Sequence, residues 1–148
     1  MNERIQGHLK YLNKYYLLLR DAQEIPHDRF IHDPIYQGSS ERFLQLAIES
    51  CLNIGNRLIS LYQFQRPLST PENYADIFKE VEKLGVVDHE FVDRLIKMAR
   101  FRNLLIHLYW EIDPEAIYRF IHEDIDDFKK FEQMVVAFLN ENRLERKN

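Results

Sequence analysis

The segment RNLLIHLY, residues 102–109, sets a cation, an amide, an imidazole and a phenol at Arg102, Asn103, His107 and Tyr109 inside an otherwise apolar run. A cation and an imidazole, without a carboxylate cluster or a cysteine, suit attack on a phosphate ester that uses no metal. Arginine can grip such a phosphate with two N–H donors and stabilise the charge that develops on it. Histidine, with an ordinary pKa of ~6.5, can move the proton of an attacking hydroxyl or of a leaving group. RNA brings its own nucleophile, the 2′-hydroxyl, so a site acting on it needs little more. Asn103 can orient the phosphate or fix the histidine tautomer. The same four residues also admit a structural account: an ion pair, a cap on helical carbonyls, and a core aromatic with its hydroxyl satisfied.

Their spacing sharpens the choice. On a helix at ~100° per residue, Phe91, Leu95, Met98 and Leu105 fall within a narrow arc, and Arg102 lies in the middle of it. A guanidinium in an apolar stripe must be paired, snorkel to water, or line a polar cleft, because burying its charge alone is prohibitive. Asn103 and His107, four apart, share a neighbouring face, whereas His107 lies ~140° around the helix from Arg102. One straight helix therefore cannot aim Arg102 and His107 at a single point. Either the helix ends near His107, as Asp113-Pro114 favours, or Arg102 reaches around, or a second subunit contributes.

The elements that carry this segment are helical. Ile5, Leu9, Leu12, Tyr16 and Leu19 recur at helical spacing over 3–22, and Leu44, Ala47, Cys51, Ile54, Leu58 and Leu61 do so over 41–63, with Ser39 or Ser40 as cap. Residues 24–38, with two prolines and no period, predict a loop. Gly55 inside the second helix permits close contact with a neighbour. Thr70-Pro71 reads as a cap and first helical residue, and Gly85 as the helix stop. Asp88 starts the helix that reaches the polar segment, and Pro114 opens a last helical region whose apolar face runs from Ile117 to Leu139, before a polar tail that frays. No stretch alternates as a strand does. The expected fold is all-α, an antiparallel bundle of about five or six helices in a single domain spanning 1–148.

Bulk properties limit the rest. The 148 residues, 45% hydrophobic and 30% charged, suit one ordinary soluble domain. No apolar run nears the ~20 residues of a membrane span, and the N-terminus lacks a signal-peptide core, so a cytoplasmic protein is expected. Twenty Lys and Arg against 24 Asp and Glu give a net charge of −4, which argues against attachment to nucleic acid by overall field but leaves a local basic cleft open. Cys51 lies on an apolar stripe and reads as a buried small hydrophobe. His27 and His32 beside Asp28 and Asp33 lack regular ligand spacing and read as solvated loop residues, so no metal or other cofactor is expected. His8, His89 and His122 read as surface or capping histidines, and EDIDDFKKFE, 123–132, as a solvated helix face.

Arg102, four residues, His107, one residue and Tyr109 match the R-x4-H-x-Y signature of HEPN-domain toxins of the HepT type, which this chain resembles nearly end to end. SERFLQLAIESCLNIGNRLI is similar to the family's long second helix, and PLSTPENYADIFKEVEKLGVV to its Pro-rich turn and following helix. Asn53 departs from the pattern, since many members carry Asp there. The resemblance implies a homodimeric HEPN-like bundle whose two motifs line one cleft at the subunit interface. It implies a metal-independent endoribonuclease in which Arg102 and His107 are the catalytic pair, supported by Asn103. It also implies that Tyr109 is adenylylated by a partner nucleotidyltransferase antitoxin, which would put negative charge where RNA phosphates enter. Two alternatives stand beside it. One is a non-catalytic helical module that binds a nucleotidyltransferase partner or a nucleotide; the other is a polar cluster that only sets dimer register.

Overall fold

The structure, a computed structural model, describes residues 2–63, 73–107 and 112–147, with side chains through Asn142. Those residues form seven helices and no strand: α1 (Glu3–Ala22), α2 (His27–His32), α3 (Pro34–Tyr62), α4 (Tyr74–Lys83), α5 (His89–His107), α6 (Pro114–Glu123) and α7 (Asp126–Lys147). The all-α bundle is the expected class, with one or two more helices than the sequence suggested. Among the described residues no helix is long and apolar enough to cross a membrane.

α1 begins where Asn2 accepts from the Arg4 and Ile5 amides and buries the predicted stripe, Ile5, Leu9, Leu12, Tyr16 and Leu19. Residues 24–38 are more ordered than two prolines suggested. Pro26 and Pro34 sit where a missing N–H costs nothing, at the starts of α2 and α3. Asp33 Oδ1, accepting from the Ile35 amide at 2.9 Å, caps α3, so that helix starts several residues before Ser39 and Ser40. Ser39 instead donates to the Ile35 carbonyl and Ser40 is buried. The Thr70-Pro71-Glu72 segment lies outside the described residues; α4 itself is capped by Asn73, whose Oδ1 accepts from the Asp76 amide. Gly85, with φ 87°, ends the turn after α4 as expected. The last helical region is two helices, broken at Asp124 and Ile125, and the apolar spacing continues on both sides of the break.

α3 runs back along α1, with Phe43 stacked 6.4 Å from Tyr15. α5 lies antiparallel to α3, since Arg102 meets Glu49 while Leu105 shares a cleft with Gly38 and Gln45. α4 packs tightly on α3: a Cβ at Gly55 would come within 2.6 Å of Ile77 Cγ2. Phe30, Phe78, Phe91, Phe128 and Phe131 fill the centre of one continuous core. Cys51 is part of it, and burial pushes its thiol well above the ordinary range, as an inert core residue requires.

α7 is tied down by residues of the acidic 123–132 run. Arg94 on α5 bridges Asp124 (3.2 Å) and Asp127 (2.9 Å), and the Tyr16 hydroxyl donates to Asp126. Asp124 and Asp127 therefore pair between helices, a correction to the solvated face expected at these two positions, while Glu123, Asp126 and Lys130 are exposed. Within the run, Lys129 pairs locally with Glu132, as expected.

Candidate active site

α5 carries the polar segment to its C-terminal end. Phe91, Leu95, Met98 and Leu105 are buried along one stripe, and Arg102 occupies the stripe position between them. Its side chain is only 15% exposed. The charge is matched by Glu49 on α3, with Nη2 3.2 Å from Oε1, and the guanidinium lies 4.5 Å from the Tyr74 ring centre, in cation–π contact. Nη1 donates to Asn103 Oδ1 at the long distance of 3.5 Å. Gln45 Nε2 donates to Glu49 Oε1 from one turn earlier in α3. Arg102 is thus paired and lines a polar region, two of the outcomes its stripe position required.

A guanidinium has five N–H donors. One goes to Glu49 and one to Asn103, so three carry no hydrogen bond among the described residues, the buried Nε among them. An unmatched buried donor on a charged group is unfavourable. A partly buried arginine with spare donors is poised for an anion with several acceptor oxygens, such as a phosphate.

His107 is the last residue of α5 and is exposed. Within one chain Arg102 packs toward α3 and α4 while His107 faces solvent, so the structure does not bring the two together. Leu104, between Asn103 and His107, is 46% exposed on the same side. Tyr109 lies outside the described residues. Asn53 is exposed on α3, one turn from Glu49.

Beside the Gln45–Glu49–Arg102 chain, α3 and the end of α5 enclose a cleft of about 320 Å³ lined by Gly38, Glu41, Arg42, Gln45, Leu105 and Ile106. Burial raises the Glu41 carboxyl above the usual range. Sequence reasoning does not single out Glu49, Tyr74, Gln45 or Glu41; each lies far from Arg102 in the chain, and the packing of α5 against α3 brings the two glutamates and Gln45 near it, while its packing against α4 brings Tyr74.

Four of the other five histidines have structural partners. His27 Nε2 sits 2.7 Å from Glu115 Oε1, joining α2 to α6, and the carboxylate raises the imidazole pKa. His89 pairs with Glu82, and the His122 ring nitrogens lie 2.9 and 3.2 Å from the carbonyls of Tyr118 and Gln23. His32 Nδ1 is 2.8 Å from the Asp28 carbonyl within α2. Among the described residues no three His, Cys, Asp or Glu are grouped as metal ligands.

Known proteins resemble this chain in sequence and in fold. The chain is 26% identical over 109 residues to the mRNA nuclease HepT of Shewanella oneidensis, covering 74% of this chain and 79% of that one. It is 22% identical over 137 residues to the tRNA nuclease HepT of Aphanizomenon flos-aquae, covering 91% and 89%. Its fold matches a solved structure of the tri-AMPylated Shewanella oneidensis HEPN toxin in complex with MNT antitoxin, with a TM-score of 0.82 at 23% identity over 93% of this chain and 99% of that one. The sequence profile described as "Ribonuclease HepT-like" matches residues 5–135, from the first helix through the polar segment into the last, and the chain belongs to that family.

Proposed function

We propose that this protein is a metal-independent endoribonuclease acting as the toxin of a HEPN–nucleotidyltransferase toxin–antitoxin pair, in the cytoplasm. The observation that carries the reading is Arg102: a charge held between Glu49 and Tyr74 with N–H donors to spare, five residues before an exposed histidine at the end of the same helix. In this reading Arg102 holds the scissile phosphate and offsets its growing negative charge. His107 moves the proton of the attacking 2′-hydroxyl or the leaving 5′-oxygen. Asn103 supports Arg102, and Tyr109 receives adenylate from the antitoxin. The relatives named HepT act on RNA by name, and the similar solved structure is of a toxin bound to an MNT antitoxin. A homodimer supplies the missing convergence, since His107 and the exposed Leu104 share a face of α5 that a second copy can cover.

Purified protein incubated with RNA in EDTA tests the mechanism. Cleavage is expected to persist with chelator and to vanish in an Arg102→Ala, His107→Ala double mutant. Loss of cleavage with EDTA, or full activity of the double mutant, would overturn it. Intact-mass analysis after incubation with the antitoxin and ATP reads adenylate on Tyr109, and a monomer at micromolar concentration would contradict the shared cleft. A second reading, a non-catalytic module binding a nucleotidyltransferase or nucleotide, is favoured by one observation: Glu49 already neutralises Arg102. RNA left intact at high protein concentration while a nucleotide binds would select it.

A further inference from the structure

The cleft beside Arg102 contains a carboxyl group that the reaction above does not use. Glu41 lines it and makes no hydrogen bond or ion pair among the described residues; desolvation is what acts on its carboxyl. Holding an unpartnered, half-buried carboxylate in a cleft is unfavourable unless a ligand completes it. That ligand must offer hydrogen-bond donors, and an RNA backbone phosphate offers none. The bases do, and guanine presents two parallel donors, N1–H and N2–H, which match the two oxygens of one carboxylate.

We propose that the cleft between α3 and the end of α5 is a nucleobase subsite that selects guanine in single-stranded RNA next to the cleaved phosphate, with Glu41 accepting from the base edge. The inference rests on the ribonuclease reading of Arg102. Gln45 links the subsite to the reacting phosphate: it lines the cleft, and its Nε2 donates to the same Glu49 oxygen that Arg102 meets. Its second amide N–H is available to guanine O6. Arg42, exposed at the rim, offers a cation to the neighbouring backbone phosphate. Leu105 and Ile106 give the base an apolar wall. The volume, about 320 Å³, is within the ~300–1,000 Å³ range of small-molecule sites. Single-stranded RNA is the form whose base edges are free to be read this way.

Binding separates this proposal from catalysis. Four fluorescent tetranucleotides, identical except for G, A, C or U at one position, are 2′-O-methylated so that they lack the internal nucleophile, and are titrated into the full chain. Wild type should bind the guanine version roughly tenfold or more tightly than the other three. Glu41→Gln should bring the four within about twofold of one another. Gly38 gives a second variant: it lines the cleft and a Cβ there meets no atom within 4 Å, so Gly38→Phe, which places a ring in the cleft, should abolish the preference even if Glu41→Gln perturbs folding. Equal binding of all four by wild type, no binding of any, or a Glu41→Gln variant that keeps the preference would overturn the subsite. A guanine preference in a protein that leaves ordinary RNA uncut would instead overturn the ribonuclease reading and leave the subsite standing.

Discussion

Arg102 of α5 and Glu49 of α3, 53 residues apart in the chain, meet with Nη2 and Oε1 3.2 Å apart above the Tyr74 ring. Glu49 has two opposed effects. It fixes the fork of the guanidinium, and it competes with a phosphate for the same charge. Glu49→Gln should therefore split the kinetic constants. KM for RNA falls because Arg102 carries more uncompensated charge, while kcat falls about tenfold because the fork loses its fixed orientation. Steady-state cleavage of a short RNA measures both, and a simple loss of folding would not lower KM.

His27 provides a pH-dependent link between α2 and α6. Its pKa is raised chiefly by the Glu115 hydrogen bond, with Asp28 adding to it. The folded value lies above the unfolded one, so this contribution to stability is complete below about 6.5 and is lost as pH rises through the folded pKa. An NMR titration of the His27 ring should show a midpoint above 6.5 that Glu115→Gln moves back toward the ordinary value.

Gly55 tests the α3–α4 contact. Alanine favours a helix interior by about 1 kcal/mol over glycine, but here the new methyl meets Ile77 Cγ2 at 2.6 Å and Val81 Cγ2 at 3.4 Å. Ile77 is branched and buried, so the clash cannot be relieved by a side-chain end swinging away. Overpacking costs about 1–3 kcal/mol, about 1 kcal/mol net at mid-range once the helix gain is subtracted, and Gly55→Ala should lower the melting temperature by roughly 2–4 °C, as read by circular dichroism.

Arg94 compensates two half-hidden carboxylates. Asp127, with 14% of its side chain exposed, keeps a raised pKa because burial outweighs the pull of Arg94. Arg94→Ala should cost about 1–3 kcal/mol at neutral pH. A raised folded pKa means that wild-type stability from Asp127 grows as pH falls through that pKa. The effect is larger without Arg94, so the deficit of the variant should narrow on acidification, which urea denaturation at several pH values would record.

What the sequence made legible and what it did not divide along physical lines. Helices α1 and α5 were readable because each buries a regular stripe, and the stripe identified Arg102 as a residue that had to be paired. Its partners were not readable: Glu49 and Tyr74 belong to other helices, and no local spacing encodes a contact 53 residues distant. α2 escaped because six residues carry too little periodicity, and because a proline at the first position of a helix looks, in sequence, like the end of one. The break at Asp124 and Ile125 escaped for the opposite reason, since the apolar spacing continues on both sides of it. The ~140° offset of His107 from Arg102 was plain from spacing alone, and the single chain keeps it.

Tyr74, under Arg102, is the first residue of α4, and α4 is only ten residues long. The first turn of a helix, ahead of its buried residues, opens locally at a lower free-energy cost than the core. When the first turn of α4 frays, the Tyr74 ring leaves the guanidinium while Phe78 and Val81 stay packed in the core. Heat should therefore quench the site before it melts the protein, with activity fading several degrees below the unfolding transition and returning in full on cooling.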